Sequence, residues 1–345
     1  MDFFMLCDSS NISLSDLNNP HGQPLDAAHP DRNLGMELVR ATEAAAIKAS
    51  AWIGRGDKNA ADGAAVDAMR GFLSTVDFAG TVVIGEGEKD EAPMLFNGEV
   101  VGNLNGPECD VAVDPVDGTS VTAAGRAHAI SVIAVADRGS MYNPQDVFYM
   151  DKLVTVAAGK GAVSLDQTVE ENVRELAKAL KKDVSDITVA MIDRPRHVPL
   201  QEAVRRAGGR TRLFLDGDVA AGIHAVTGDG NIDMLLGVGG APEGTITACA
   251  TKALGGFMQG RISPQSAPEM QKAIAAGHDL TRIFEMDDLV ASDNTYFVAT
   301  GVTDGLLLNG VQKHGQYLTT DSIILRARSG TIRRVKADYL ASRWR

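Results

Sequence analysis

The sequence predicts an α/β fold with its ligand site at strand ends, on three observations. Between residues 187 and 245 strand and helix patterns alternate, which favours βαβ units with a crevice at the carboxyl ends of the strands. Short β-branched runs end in loops that combine carboxylates with glycine, as where Thr81-Val82-Val83-Ile84 meets Gly85-Glu86-Gly87-Glu88. A chain of 345 residues, 44% of them hydrophobic, exceeds the usual single-core size, so two packed α/β units or one multilayer sandwich is expected.

In chain order, residues 1–31 are rich in Asn, Asp, Ser, Pro and His with little periodicity and read as a flexible leader. Residues 34–53 are Ala-rich and helical in pattern. A second helix is expected over 62–76, with Val66, Met69, Leu73 and Val76 on one face and Asp62 as N-cap or first-turn residue. Strands follow at 81–84, 110–114, 129–136 and 152–157, and 168–181 places Val169, Val173, Leu176 and Leu180 on one helical stripe. The alternating part reads as strand 187–192, helix 199–207, strand 212–215, helix 219–226, strand 232–238 and a helix beginning near Thr245.

The chemistry concentrates in Asp114-Pro115-Val116-Asp117-Gly118-Thr119. Pro115 lacks a backbone donor and is expected to stop the strand, while Gly118 permits a tight bend before Thr119. Asp114, Asp117 and Thr119 can then face one point. Two carboxylates about 4 Å apart repel by roughly 4 kcal/mol at an effective dielectric near 20, so such a cluster needs a proton or a cation. Hard oxygen ligands without neighbouring Cys or His favour Mg²⁺ or Mn²⁺. A solvated Asp-Pro-x-Asp-Gly turn is the alternative for these residues alone. For Asp62, helix capping is an equally sufficient explanation.

Other loops are similarly open. Arg194 and Arg196 flank Pro195 and, in an extended chain, point to one side, where they can grip a phosphate; as isolated residues they read as surface charges. Asp216 and Asp218, either side of Gly217, are turn residues or acceptors for sugar hydroxyls. Gly239-Gly240 is weak evidence for an anion-binding loop. His197 has no evident base partner and reads as a hydrogen-bonded structural histidine.

A formal net charge of −12 argues against nucleic-acid or anionic-membrane binding and requires a local basic cluster for any anionic substrate. Cys7, Cys109 and Cys249 form no CxxC and read as idle thiols in a reducing compartment. With no signal-peptide core and no membrane-length apolar run, a soluble cytoplasmic protein is expected.

Several motifs taken together resemble the class II fructose-1,6-bisphosphatases. They are Gly54-Arg55-Gly56-Asp57-Lys58-Asn59 with Asp62-Gly63-Ala64-Ala65-Val66, Val83-Ile84-Gly85-Glu86-Gly87-Glu88 with Ala92-Pro93-Met94-Leu95, the Asp114 motif, Arg194-Pro195-Arg196-His197, Asp216-Gly217-Asp218-Val219-Ala220-Ala221 and Gly240-Ala241-Pro242-Glu243-Gly244. The order and spacing agree over about residues 31–334. This resemblance implies the lithium-sensitive phosphatase superfold, a layered α/β/α/β/α sandwich of the inositol monophosphatase-like sugar-phosphatase type. It also implies a metal-binding half over 32–184 and a sugar-phosphate-binding half over 185–345.

By the same resemblance Asp62, Glu86, Asp114, Asp117 and Glu243 would hold two or more Mg²⁺ or Mn²⁺ ions. Asp117, Gly118, Thr119, Tyr149, Arg194, Pro195, Arg196, Asp216, Gly217, Asp218 and Gly240 would bind the sugar phosphate. Phosphoryl-transfer chemistry then gives Thr119 the task of orienting or deprotonating the attacking water and Lys58 that of neutralising charge developing on the phosphate, with a snorkelling surface lysine as the alternative for Lys58. The implied activity is hydrolysis of the 1-phosphate of fructose 1,6-bisphosphate in gluconeogenesis, with sedoheptulose 1,7-bisphosphate as a second substrate, by a homodimer or homotetramer. An inositol-phosphate or nucleotide phosphatase of the same superfold and a non-catalytic sugar-phosphate sensor are the competing readings.

Overall fold

The computed structural model describes residues 34–85, 94–144, 147–228 and 232–344, so the leader expected over 1–31, Glu86 and Cys7 lie outside the described residues. Two mixed sheets carry the architecture. The first is built from β1 (Ala79–Ile84), β2 (Val100–Val101), β3 (Glu108–Asp117), β4 (Ile130–Asp137), β11 (Tyr296–Gly301), β12 (Gln312–His314), β13 (Tyr317–Arg326) and β14 (Thr331–Leu340). Its order is β12-β13-β11-β4-β3-β1-β2, with β14 paired to β13. The second contains β5 (Tyr149–Thr155), β6 (Thr188–Ile192), β7 (Arg210–Phe214), β8 (Met234–Gly240), β9 (Phe257–Ile262) and β10 (Phe284–Glu285), in the order β10-β9-β5-β8-β6-β7.

The helices fill three layers around these sheets. They are α1 (Leu34–Ser50), α2 (Lys58–Leu73), α3 (Thr119–Ala123), α4 (Val169–Leu180), α5 (Val198–Ala207), α6 (Val219–Thr227), α7 (Ala241–Ala253), α8 (Ala267–Ala275) and α9 (Met286–Leu289). Side-chain alternation along the strands assigns the layers. On β3 and β4, Val111, Val113, Ile133 and Val135 face outward onto Leu38 of α1 and Met69 of α2. Ala112, Val132 and Ala134 face inward onto Ile246 and Ala250 of α7. On the second sheet Met150, Val154 and Leu235 face that same middle layer, while Leu153, Val189 and Leu236 face Val173 and Leu176 of α4 and Val204 of α5. The result is the α/β/α/β/α sandwich.

Helix α7 illustrates the constraint. Lying between two sheets it is buried almost all round, and its sequence is correspondingly small and uniform, with Ala248, Cys249 and Ala250 wholly enclosed. Outer helix α4 is instead strongly one-sided, held by a capping box between Thr168 and Glu171. Burial pushes the thiols of Cys109 and Cys249 up to about 12, which leaves both unreactive.

Four sequence expectations need correction. Helix α2 starts at Lys58 rather than 62, because the Asp57 side chain accepts from the Ala60 amide at 2.9 Å and takes the N-cap. Asp62 therefore lies in the second turn and the capping explanation for it falls away. Strand β3 runs through Pro115 to Asp117 instead of stopping at Asp114. Helix α7 begins at Ala241 rather than near Thr245, because Pro242 sits in its first turn, where a missing N–H costs nothing. Finally, sheet membership crosses residue 184 in both directions: β5 belongs to the second sheet, and β11, β13 and β14 return to the first. Strict βαβ pairing is limited to β6 with β7 and β8, since β5 pairs antiparallel with both β8 and β9.

Among the described residues no helix is long and apolar enough to cross a membrane. Ala248→Leu should lower the thermal midpoint by several degrees, through an overpacking cost of about 1–3 kcal/mol in the middle layer. An unchanged midpoint would show that α7 is not clamped between the sheets.

Candidate active site

A cavity of about 240 Å³ is lined by eight of the predicted residues, Lys58, Asp62, Asp114, Asp117, Gly118, Thr119, Asp216 and Glu243, together with Asn97, Asn143, Phe148 and several apolar side chains, whereas Tyr149, Arg194, Pro195, Arg196, Gly217, Asp218 and Gly240 are not among its lining residues. Its geometry follows from local rules. Residues three apart on a regular strand point to opposite faces. Across β3 and β4, however, Asp114 pairs with Val132 and Asp117 with Ile130, so β3 carries one extra residue. This bulge turns Asp114 and Asp117 to the same side. Pro115 has no N–H to contribute to the ladder there, and the Val116 amide donates to Asp114 Oδ1 at 3.0 Å. Gly118 then adopts φ 102°, a left-handed conformation in which a side chain would collide with Val121, and Thr119 opens α3.

Helix α2 brings Lys58 and Asp62 to the same wall as an i, i+4 pair. The preceding turn is tied to α3 by two amides, Gly54 to the Thr122 carbonyl at 3.0 Å and Gly56 to the Ala123 carbonyl at 2.9 Å. That fixes α2 opposite Thr119. From the second sheet, α7 contributes Glu243 in its first turn, just beyond the N-cap Gly240. Tyr149 pairs with Gly240 across β5 and β8. The loop after β7 presses Gly217 (φ 71°) onto Asp117: a Cβ there would lie 3.0 Å from Asp117 Oδ1.

Electrostatics make this a high-energy arrangement. Burial holds the Asp117 carboxyl well above the usual carboxylate range, and Asp218, Glu243 and Asp216 add to the rise while Lys152 opposes it. Asp117 Oδ2 and Glu243 Oε2 are buried without a hydrogen-bond partner among the described residues. Orphaned carboxyl oxygens on two residues that line one cavity fit a hard divalent cation, whose charge would relieve the repulsion between them. Among the described residues no three His, Cys, Asp or Glu side chains are drawn together as tightly as a preassembled metal centre. Mutual repulsion of the acids favours that spacing, and the expected ligand Glu86 lies outside the described residues.

The two arginines do not share an extended strand. Pro195, Arg196 and His197 form a single 3₁₀ turn, which sends Arg194 to the loop after β7 and Arg196 to β8, the two strands on either side of β6. Arg194 donates to the Leu215 carbonyl at 2.5 Å and pairs with Asp216 Oδ1 at 3.3 Å. Arg196 donates to the Val238 carbonyl at 2.9 Å and lies 5.3 Å over the Tyr149 ring, with its Nε buried and without a partner among the described residues. His197 is structural, as expected: Nδ1 donates to the Ile192 carbonyl at 2.7 Å and Nε2 accepts from the Val238 amide at 2.9 Å, which fixes the neutral tautomer. Burial accordingly lowers its pKa.

Lys152, Asn97, Asn143 and Phe148 escaped the sequence reading. For Lys152 a signal existed, an Asp-Lys pair set inside the otherwise strand-like run Tyr149-Met150-Asp151-Lys152-Leu153-Val154. Nothing comparable marks the other three.

Replacing Asp117 by Asn should abolish nearly all activity while leaving the metal-free protein as stable as the parent or more so. A raised pKa means that the native state prefers the neutral carboxyl, so the contribution of this one group to stability is fully present below about pH 4 and is lost as pH rises through its native pKa. The advantage of Asp117→Asn in thermal midpoint, measured with chelator present, should therefore grow as pH rises from about 4. A shrinking advantage would contradict the charge assignment.

Comparison with known proteins gives a consistent picture. The family model described as bacterial fructose-1,6-bisphosphatase, glpX-encoded, matches residues 32–339. The chain is 42% identical over 325 residues to fructose-1,6-bisphosphatase 1 class 2 of Escherichia coli K12, covering 90% of this chain and 96% of that protein. The same identity and coverage hold for the fructose-1,6-bisphosphatase class 2 of Shigella flexneri.

Proposed function

This chain belongs to the bacterial, glpX-encoded fructose-1,6-bisphosphatase family, and on that premise we propose that it hydrolyses the 1-phosphate of fructose 1,6-bisphosphate to fructose 6-phosphate and phosphate, as a step of gluconeogenesis. The observation that supports the reading beyond family membership is the β3 bulge, which turns Asp114 and Asp117 into the cavity that Thr119, Lys58, Asp62 and Glu243 also line. An inositol-phosphate or nucleotide phosphatase is not favoured, given the names of the relatives.

In this proposal Asp62, Glu86, Asp114, Asp117 and Glu243 would hold the divalent ions, Mg²⁺ or Mn²⁺. When bound, these ions would supply positive charge to the reacting phosphate and acidify a water molecule. The Thr119 hydroxyl would orient the attacking water in line with the bond to be broken; being a poor base, it would pass the proton to a neighbouring carboxylate. Lys58 would offset the charge that develops on the phosphate. Arg194 and Arg196 would hold the distal phosphate, so that its binding energy orients the reacting one, while Asp216 and Asp218 accept from sugar hydroxyls. Tyr149 and Gly240 would close the sugar side, together with Pro195 and Gly217 as backbone contacts. One extra carbon in a solvated sugar discriminates weakly, so sedoheptulose 1,7-bisphosphate belongs to the proposed substrate range.

Thr119→Ala should lower kcat by about 10²-fold or more with KM nearly unchanged, because water orientation matters mainly in the transition state. Steady-state kinetics on the bisphosphate at saturating metal checks this, and kcat within twofold of the parent would move the role elsewhere.

The substrate assignment is tested at Arg196. Arg196→Ala should reduce kcat/KM for fructose 1,6-bisphosphate by about 1.5–3 kcal/mol, roughly tenfold to a hundredfold, chiefly through KM. Hydrolysis of p-nitrophenyl phosphate, which has no second phosphate to lose, should change far less. Equal losses on the two substrates would place Arg196 at the reacting phosphate or in folding, and the distal clamp would be abandoned.

A further inference from the structure

Lys152 has no part in the mechanism above, yet among the described residues it is the lysine whose side chain is wholly enclosed, at 0% exposure. An ammonium removed from water costs several kcal/mol unless its charge is matched and its protons are accepted. Here Nζ pairs with Asp218 Oδ2 and donates to the Gly240 carbonyl at 3.0 Å. The approach depends on glycine. A Cβ at Gly239 would lie 2.8 Å from Nζ and would overlap the Asp218 carboxylate. On the other side a Cβ at Gly244 would touch the Lys152 stem at 3.5 Å, so the lysine threads between the end of β8 and the first turn of α7.

The two groups that Lys152 holds are both proposed to meet the substrate. Asp218 starts α6 after the β7 loop, and Gly240 caps α7, three residues before Glu243. One Asp218 oxygen is taken by the ammonium. The other, Oδ1, is buried and has no hydrogen-bond partner among the described residues. Such an acceptor is costly to leave empty and suits a hydroxyl donor from a ligand.

We infer that Lys152 is a positioning residue: it engages Asp218 Oδ2 and the Gly240 carbonyl together, so that Asp218 Oδ1 is left to accept from a sugar hydroxyl, and its charge limits how tightly the surrounding carboxylates bind a cation. The substrate part rests on the function proposed above. The cation part does not. Removing one positive charge beside an acidic cluster strengthens its hold on a divalent ion by simple Coulomb attraction.

The test uses Lys152→Met, Asp218→Asn and the double variant, each in the full chain. Lys152→Met and Asp218→Asn should each raise KM for fructose 1,6-bisphosphate about tenfold or more with kcat within about threefold, and the double variant should be no worse than the poorer single one. Mn²⁺ titrated alone against the thermal midpoint gives the second readout. Half-saturation should fall about tenfold in Lys152→Met and return towards the parent value in the double variant, where one charge of each sign has gone. A lysine that only fills space would leave that midpoint unmoved. Additive KM losses, or an unmoved Mn²⁺ midpoint in Lys152→Met, overturn the inference. Should Lys152→Met not fold, the double variant strands no charge and decides the matter: KM equal to that of Asp218→Asn supports the inference, and a further tenfold rise overturns it. If the parent itself fails to hydrolyse the bisphosphate, the proposed function falls while the Mn²⁺ titration still decides the role of Lys152.

Discussion

Buried negative charge is the constraint around which this molecule is organised. Asp117 is enclosed, feels Asp218, Glu243 and Asp216, and has Lys152 as its opposing charge. In water these acids would separate or protonate. They are kept together because they stand on three separate parts of the fold: Asp117 on β3, Asp216 and Asp218 on the loop leaving β7, and Glu243 in the first turn of α7. Moving Asp117 or Glu243 away requires displacing a sheet strand or a helix that is packed on both sides.

That division of labour explains why the fold needs five layers. The first sheet with α1 and α2 supplies Lys58, Asp62, Asp114, Asp117 and Thr119. The second supplies the arginines, Tyr149, Asp216 and Asp218, and the middle helix supplies Glu243. Besides the apolar middle layer that joins them, the two sheets' site loops meet backbone to carboxylate at Gly217 and Asp117, so little slack exists there. The C-terminal strands complete this rigidity from the far side. Glu43 in α1 accepts hydrogen bonds from Thr320 on β13 and Tyr339 on β14, and burial holds its carboxyl above the usual range.

Much of this is legible in the sequence wherever neighbouring residues act together. The run from Asp114 to Thr119 announces its chemistry because strand, proline, glycine and acids are contiguous, and the α4 stripe announces its burial because the period is local. Legibility ends where tertiary pairing decides. Pro115 looks like a stop in isolation, yet it continues β3 as a bulge because β4 accommodates one extra residue. Arg194 and Arg196 look parallel in an extended chain, but the 3₁₀ turn directs them to β7 and β8. Nothing local marks the place of β11 beside β4, with β13 and then β14 added beyond it, which is fixed by pairing over more than 150 residues of intervening chain.

The same charge balance constrains how substrate and cation must relate. A sugar bisphosphate brings several further negative charges to a site already dominated by carboxylates, on a chain of net charge −12. Lys58 and the two arginines cannot offset both sets, since Arg194 is already paired with Asp216 and the three cations are outnumbered by the carboxylates that line the cavity. On the proposed reading, cations must therefore carry the remainder, and each phosphate that arrives lowers the free energy of the ions already held. Linkage makes that relation reciprocal: whatever factor the substrate adds to cation affinity, the cation adds to substrate affinity. Lys152 sets the resting point of this equilibrium. Fixed in the protein and unable to leave with product, it keeps the acids from holding their ions too tightly to respond.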